Sequence, residues 1–341
     1  MTGLLEVRGL TVELPTASGW VRPVNDVSLQ IAAGESLGLV GESGSGKTML
    51  ALALMGLLPP GARVGGEAWL ANEVKEVEEV NEVEERKVRG ADDGARKNLA
   101  RLSERDWRGV RGGEIAMVFQ EPMTSLNPVM RIGAQIAEAI CAHERRIASG
   151  DARRRAVEAL RRAAVPEAET RAEQYPHQLS GGLRQRAMIA MALAAGPRLL
   201  VADEPTTALD VTVQKQILEL LNRLRRGLKL GLLFITHDLG VVKQVAERVA
   251  VMYAGRIVEE GPVGEVLAAP RHPYTQGLLA ASPTLERGKL MPIPGTVPQL
   301  TALPPGCAFE PRCGLRRSEC AAGVPQLRST TPEHAARCIL V

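Results

Sequence analysis

Aromatic side chains are scarce in this chain of 341 residues, which has three Trp, three Tyr and three Phe. Trp20 is the only one before residue 41. An excess of charge of one sign is lacking as well. Lys and Arg number 42 against 39 Asp and Glu, a net charge of +3, so nothing in the balance demands a nucleic-acid partner. No apolar run approaches the ~18 residues of a membrane-spanning helix. Met1 to Pro15 has no basic segment followed by a long apolar one, which argues against a secretory signal. These absences predict a cytosolic protein that reaches a membrane only through partners. Cysteine is sparse, with five residues, and structural disulfides are not expected in that compartment. The length suits one large domain and a smaller one.

What is present is a set of three motifs in order. Gly41-Glu42-Ser43-Gly44-Ser45-Gly46-Lys47-Thr48 fits the phosphate-loop pattern G-x-x-x-x-G-K-[ST] without a mismatch. Ser36 to Val40 reads as a short buried strand before it, and Lys47 to Leu58 as a helix after it. The glycines let backbone N–H groups turn inward around phosphate oxygens, and the helix N-terminus adds partial positive charge at the same place. Lys47 would reach the β- and γ-phosphates, and the Thr48 hydroxyl would bind Mg²⁺. Leu199 to Ala202 is an apolar strand that delivers Asp203 and Glu204. Such a strand suits the centre of a parallel sheet, where ligands bind beyond the carboxyl ends. Asp203 would hold Mg²⁺, and Glu204 would polarise the attacking water as general base. Gly231 to Thr236 is another buried strand, and it delivers His237. Between the loop and the acidic strand lies Leu179-Ser180-Gly181-Gly182-Leu183-Arg184-Gln185-Arg186.

A phosphate loop, then LSGG, then a strand ending Asp-Glu resembles the ATP-binding-cassette (ABC) ATPases. The resemblance implies that His237 contacts the γ-phosphate. It also implies that Gln120, in Phe119-Gln120-Glu121-Pro122, senses Mg²⁺ and the attacking water while touching a membrane partner. Asp210, in Ala208-Leu209-Asp210, would couple two ATP sites across a dimer. Ser180, Gly181 and Gly182 would bind the γ-phosphate held by another chain, because one phosphate loop and one LSGG cannot complete a site alone. The family stacks adenine on an aromatic residue upstream of the loop. Trp20, 21 residues before Gly41, stands at roughly that place, with Val21 or Leu14 as alternatives and a hairpin-tip tryptophan as the plain one.

Periodicity supplies the organisation. Residues 4–40 alternate like short strands, with a turn at Ala33-Gly34-Glu35. From Arg131 the pattern turns helical, with Ile132, Ile136 and Ile140 on one face. Asp151 reads as the cap of a second helix, with Val157, Leu160 and Ala164 inward and arginines 153, 154, 155, 161 and 162 outward in solvent. Cys141 reads as a packed core residue. The α/β core resumes at Arg198, and Val249 to Glu259 reads as two strands turning at Ala254-Gly255. Residues 73–84 are four Glu-Val-x triplets. A three-residue repeat drifts about 60° per step on a helix, and it does not fit a strand either. Residues 74–98 therefore read as an exposed low-complexity insertion, with a docking segment as the alternative.

The C-terminal end narrows the resemblance. His272-Pro273-Tyr274-Thr275-Gln276-Gly277-Leu278-Leu279 resembles the start of the extension on peptide-importer ABC ATPases. Cys307, Cys313, Cys320 and Cys338 follow a Pro-rich link, with five, six and seventeen residues between them. Those gaps suit zinc poorly, since zinc sites usually pair cysteines two to four apart. Four thiolates can hold a [4Fe–4S] cluster, and Gly306-Cys307-x-Phe309-x-x-Arg312-Cys313 matches the cluster-bearing segment of the oligopeptide and dipeptide branch. Zinc and unliganded thiols remain the alternatives.

The expected fold is α/β: an ABC-type P-loop core with an N-terminal antiparallel β subdomain, a helical insert at about 122–190, and a small cysteine-containing extension. The expected division is an ATPase domain over 1–265 and the extension over 266–341. The resemblance implies an ATPase that powers import of peptides or related small solutes from the cytoplasmic face of the membrane, where it sits peripherally. ATP, Mg²⁺ and a [4Fe–4S] cluster are its expected cofactors. Its expected partners are a second, different ATPase subunit, since Thr48 to Leu57 resembles the first of two such subunits, and two transmembrane permease subunits. An extracytoplasmic solute-binding protein would act indirectly, and no nucleic acid is involved. A DNA-repair or ribosome-associated ABC ATPase is the rival reading. It would need a long coiled coil, a zinc module or a second cassette.

Overall fold

Alternation of buried and exposed residues drives the N-terminal part into strands. In this computed structural model, which describes residues 3–17, 19–72, 96–144, 146–207, 209–282 and 291–341, β1 (Leu5–Thr16) and β2 (Gly19–Ile31) form a long antiparallel hairpin. β4 (Arg63–Ala71) and β5 (Arg96–Asn98) complete an antiparallel sheet of order β2-β1-β4-β5. The Glu-Val-x triplets and the rest of the insertion to residue 95 lie outside the described residues. Its expected end does not: Arg96–Asn98 is strand, paired Ala71↔Arg96, Leu70↔Lys97 and Trp69↔Asn98. Arg96 pairs with Glu6 at 2.7 Å, and Lys97 pairs with Glu114, so charged residues that read as solvated are used at a sheet edge.

The second sheet has eight strands, in the order β11 (Arg328–Ser329), β12 (Ala335–Ala336), β10 (Arg256–Pro262), β9 (Arg248–Tyr253), β3 (Ser36–Val40), β8 (Gly231–Thr236), β7 (Leu199–Asp203) and β6 (Ile115–Val118). Five of its strands run parallel: β9, β3, β8, β7 and β6. β3, β7 and β8 are buried along their whole length, as continuous apolar runs in a parallel sheet require. Successive residues serve opposite cores. Leu199 and Val201 face the core shared with the N-terminal sheet and the helix Lys47–Leu54, while Leu200 and Ala202 face the core shared with the helical insert. The helix after the phosphate loop ends at Leu54, four residues earlier than Leu58. Gly56 takes φ 61, and its Cα is packed so closely that a Cβ would lie 2.4 Å from the Trp107 ring.

The helical insert has Ile132, Ile136 and Ile140 buried on one face of the helix Ile132–His143. Cys141 corrects the sequence reading: it is exposed, because one step past Ile140 turns it about 100° towards solvent. The next helix, Ser149–Arg162, starts before Asp151, which is not its cap but sits in the first turn and pairs with Arg154 at 2.8 Å. Its buried residues are Ala152, Ala156 and Leu160. Val157 is half-buried, and Ala164 is exposed in a left-handed conformation (φ 54) beyond the helix end.

The chain end returns to the second sheet. β10 (Arg256–Pro262) forms a hairpin with β9, and β12 (Ala335–Ala336) adds to its free edge, followed by β11 (Arg328–Ser329). One buried carboxylate holds this arrangement. Glu259 accepts from the backbone N–H groups of Arg271 (2.6 Å) and His272 (2.9 Å) and meets His334 Nε2 at 2.7 Å.

Candidate functional site

The site lies where β3, β7 and β8 end. The phosphate loop takes its shape from glycine. Gly44 and Gly46 adopt φ 81 and 107, and a Cβ on Gly46 would lie 1.9 Å from the Pro23 carbonyl oxygen. A Cβ on Gly41 would lie 2.2 Å from the Met252 carbonyl oxygen. Ser43 and Gly44 are exposed at the tip, and Ser45 is buried with no hydrogen-bond partner for its hydroxyl. Lys47 folds back on the loop, donating to the carbonyls of Gly41 (2.7 Å) and Glu42 (3.1 Å). Burial pushes its ammonium below the usual lysine range, against the charges of Glu204, Asp203 and Glu42.

Asp203 ends β7 with one carboxylate oxygen buried and unpartnered. Burial raises its pKa, and a hydrogen bond with the Thr48 side chain opposes the rise. A hydroxyl beside an unpaired carboxylate oxygen is a donor set that fits Mg²⁺. Glu204 takes φ 46, a costly conformation for a residue with a Cβ, and its N–H donates to the Ile235 carbonyl at 3.0 Å. That backbone turn aims its carboxylate at three side chains. Oε2 accepts from Thr207 Oγ1 (2.9 Å) and Gln120 Nε2 (3.3 Å), and His237 Nδ1 lies 3.3 Å away. The His237 contact holds Glu204 below the usual carboxylate range, and Glu204 in turn raises His237. The lowering keeps the carboxylate ionised, the form that can accept a proton from water, while making it a weaker base.

Other expected site residues stand apart from this group. Ser180 caps the helix Gly181–Leu193, its hydroxyl accepting from Leu183 N–H (3.4 Å). Among the described residues, Ser180, Gly181 and Gly182 make no hydrogen bond to the phosphate loop. Gly182 is tight against Val213, at 2.8 Å from its would-be Cβ. Asp210 caps the helix Val211–Leu228 by accepting from Val213 N–H at 2.9 Å, and its neighbour Ala208 lies outside the described residues. Trp20 is half exposed near the β1–β2 turn, with the Arg63 guanidinium 3.9 Å over its ring. Its strand continues to Pro23, which abuts Gly46.

Cys307, Cys313, Cys320 and Cys338 line one small cavity of about 10 Å³, near the volume a single water needs. Burial raises the Cys307 and Cys313 thiols. Among the described residues no group of three His, Cys, Asp or Glu lies close enough to hold a single metal ion. Four cysteines are the donor type that a [4Fe–4S] cluster takes, but a cavity of about 10 Å³ has no room for four irons and four sulfides as the thiols stand.

Sequence reasoning missed four contributors. Thr207 lies three residues past Glu204 with no motif of its own. Glu42 occupies a variable position of the phosphate loop. Its N–H donates to the Tyr274 hydroxyl (2.8 Å), and its carboxylate receives two bonds from Arg312 (2.7 and 3.0 Å). Tyr274 and Arg312 were visible only as parts of C-terminal motifs, because a pairing across 270 residues leaves no local signal.

The ABC transporter family matches residues 24–207, and the oligopeptide/dipeptide transporter C-terminal region matches residues 258–320. A putative peptide import ATP-binding protein of Brucella melitensis is 49% identical over 98% of this chain and 96% of its own. The oligopeptide transport ATP-binding protein OppD of Bacillus subtilis is 49% identical over 91% of this chain and 81% of its own. Among solved structures, a dimeric ATP-binding cassette in a post-hydrolysis state with ADP and phosphate aligns with a TM-score of 0.62. It is 26% identical, over 76% of this chain and 98% of that one. With the family match spanning the phosphate loop, LSGG and Asp203-Glu204, and full-length relatives of the same kind, the chain belongs to the ABC transporter family as an ATP-binding protein.

Proposed function

We propose that this chain hydrolyses ATP to drive import of peptides or related small solutes, as the nucleotide-binding subunit of an ABC importer. The observation that carries the reading is the convergence of Gln120, Thr207 and His237 on the Glu204 carboxylate, beside Asp203 and the phosphate loop. In this reading the N–H groups of Gly41–Thr48 and the Lys47 ammonium bind the phosphates, with Trp20 at the adenine. Glu204 accepts the proton of the attacking water. Gln120 and His237 orient the water and the γ-phosphate. Mg²⁺, held by Thr48 and Asp203, with Gln120 beside it, would neutralise charge on the β- and γ-phosphates.

The peptide cargo is supported by the C-terminal match and by relatives named for peptide import. Ser180, Gly181, Gly182 and Asp210 serve a site completed by a second chain, and a different ATPase subunit is the partner we propose. Two permease subunits complete the complex at the cytoplasmic face, and an extracytoplasmic solute-binding protein delivers cargo. No helix among the described residues is long and apolar enough to cross a membrane, which is consistent with that peripheral place. We divide the chain into an ATPase domain, 1–265, and an extension, 266–341. A [4Fe–4S] cluster on Cys307, Cys313, Cys320 and Cys338 would cross-link that extension. The convergence of four thiols on one cavity supports it. Anaerobically purified protein is expected to contain iron and acid-labile sulfide, and four freely titrating thiols would end the cluster assignment.

The test of function is a pair of variants in the assembled transporter. Glu204→Gln is expected to retain ATP binding and slow hydrolysis by roughly 10²–10⁴-fold, the usual contribution of a positioned general base. Lys47→Ala is expected to lose affinity instead. Near-normal turnover in Glu204→Gln would remove Glu204 from its role.

A further inference from the structure

The C-terminal region reaches into the phosphate loop at one residue. The Glu42 carboxylate is gripped by the two terminal guanidinium nitrogens of Arg312, Nη1 and Nη2, and the Arg312 side chain is only 4% exposed. Arg312 is itself fixed. Its Nε donates to the Pro294 carbonyl (2.9 Å), and its guanidinium carbon lies 5.9 Å from the ring centres of Tyr253 and Phe309. The Glu42 N–H does not point towards the phosphate site but donates to Tyr274, which is fully buried. Tyr274 packs on Tyr253 and Phe309 with ring centres 4.6 and 5.4 Å apart. A chain so poor in aromatics has placed three of them together beneath this one loop residue. On its other side the Glu42 carbonyl accepts from Lys47. Residue 42 is thus held at its N–H and side chain by the C-terminal region, and at its carbonyl by the lysine expected to meet the nucleotide.

We infer that Arg312 and Tyr274 are positioning residues for ATP binding: they hold Glu42 so that its carboxylate stays off the phosphates and its carbonyl stays under Lys47. The inference rests on the reading of Gly41–Thr48 as the phosphate site. A free carboxylate in this loop would stand beside a ligand of several negative charges, with its nearest compensating cation removed. Glu42 is partly exposed, and removing its partner would leave its charge uncompensated beside the phosphates. The C-terminal region therefore sets affinity for nucleotide without touching it. Arg312 immediately precedes Cys313, so whatever fixes the cysteine cavity also fixes the grip on Glu42.

The test is binding of a fluorescent ATP analogue to the full chain, with thermal unfolding of each variant alongside. Arg312→Ala is expected to weaken binding by about tenfold, the order of the repulsion between an unpaired, partly buried carboxylate and a phosphate at an intermediate effective dielectric. Arg312→Lys keeps the charge and loses the two-pronged grip, and is expected to fall between the two. The double variant Glu42→Gln/Arg312→Ala is expected to recover most of the affinity, because no unpaired carboxylate remains. A purely structural role for Arg312 would lower the unfolding temperature without that recovery. If Arg312→Ala does not fold, Arg312→Lys and the double variant decide. Wild-type affinity in folded Arg312→Lys and Arg312→Ala, or no recovery in the double variant, would overturn the inference. Lys47→Ala separates this from the underlying reading. A wild type that binds while Lys47→Ala does not, with Arg312 variants unchanged, removes the clamp alone. A wild type that fails to bind removes the phosphate site and the clamp together.

Discussion

Around Gly41–Thr48 the chain is shaped by its backbone, whereas residues 291–341 are shaped by individual side chains. The phosphate loop hangs from strands buried along their whole length, and its turns come from glycines in conformations or spaces that exclude other residues. The C-terminal region has only two-residue strands and single helical turns. It docks through Arg312, His334 and Arg337, all nearly buried, of which His334 meets the Glu259 carboxylate. The first construction buries apolar area, at ~25 cal/mol per Å², and forgives a lost polar contact. The second depends on single charged partners, each costly to orphan.

Replacements that add one methyl group at matched positions would sharpen this contrast. Gly46→Ala places a Cβ 1.9 Å from a backbone carbonyl at φ 107, and is expected to abolish detectable ATP binding in an equilibrium assay. Backbone strain alone there is worth about 1–3 kcal/mol. Wild-type binding would show that the loop can reshape. Gly306→Ala does the same to the other region, with a Cβ 2.0 Å from the Cys320 carbonyl oxygen. A cost of about 1–3 kcal/mol is expected, confined to the C-terminal region. Limited proteolysis should cut residues 291–341 first while the α/β core unfolds at its usual temperature. A single cooperative loss of both would make the two constructions one folding unit.

The Glu204–His237 pair gives a smaller, pH-dependent effect. Glu204 is lowered from the usual 4.5 and His237 raised from the usual 6.5, each chiefly by the other. The His237 part of the interaction is complete below pH 6.5 and is lost as pH rises through its raised value. The Glu204 part is complete above pH 4.5 and is lost as pH falls through its lowered value. The pair is strongest between those limits. An NMR titration should place the His237 midpoint above the usual value in the wild type, and lower it in Glu204→Gln. An unchanged midpoint would separate the two side chains. The smallest effect is expected from deleting residues 74–94. Ala71 and Arg96 are already paired, so a short turn can rejoin them. Stability should change by less than about 1 kcal/mol, because loop-closure entropy varies slowly with length. Loss of assembly with the membrane subunits would make this segment a docking element.

The strands and loop of the phosphate site were legible because their signals are local: an apolar run, a glycine pattern, and an acid pair at a strand end. Lys47, Asp203, Glu204 and His237 come together because parallel strands end at one edge, a rule that a sequence can be read against. Local signals misled where one residue's surroundings decided. Cys141 sits a single step from a buried isoleucine, and Asp151 lies inside a helix that begins two residues before it. Arg96–Asn98 looks like surface charge and is strand, because its partners Glu6 and Glu114 lie elsewhere in the chain. Arg312 and Tyr274 could not be placed from sequence, since their meaning depends on Glu42.

The join between Glu42 and Arg312 also orders events in time. During synthesis at roughly 5–20 residues per second, the phosphate loop leaves the ribosome tens of seconds before the arginine that grips it. Until then the β12 strand that anchors the chain end is also missing, since it is made from Ala335 and Ala336. A nascent chain stopped after Ala281 is therefore expected to have a folded sheet and a poor grip on nucleotide. Ribosome-bound chains of graded length, probed with the same ATP analogue, should gain affinity in one step as Arg312 emerges. Residues 282–341 would then decide when the growing chain can take up its fuel.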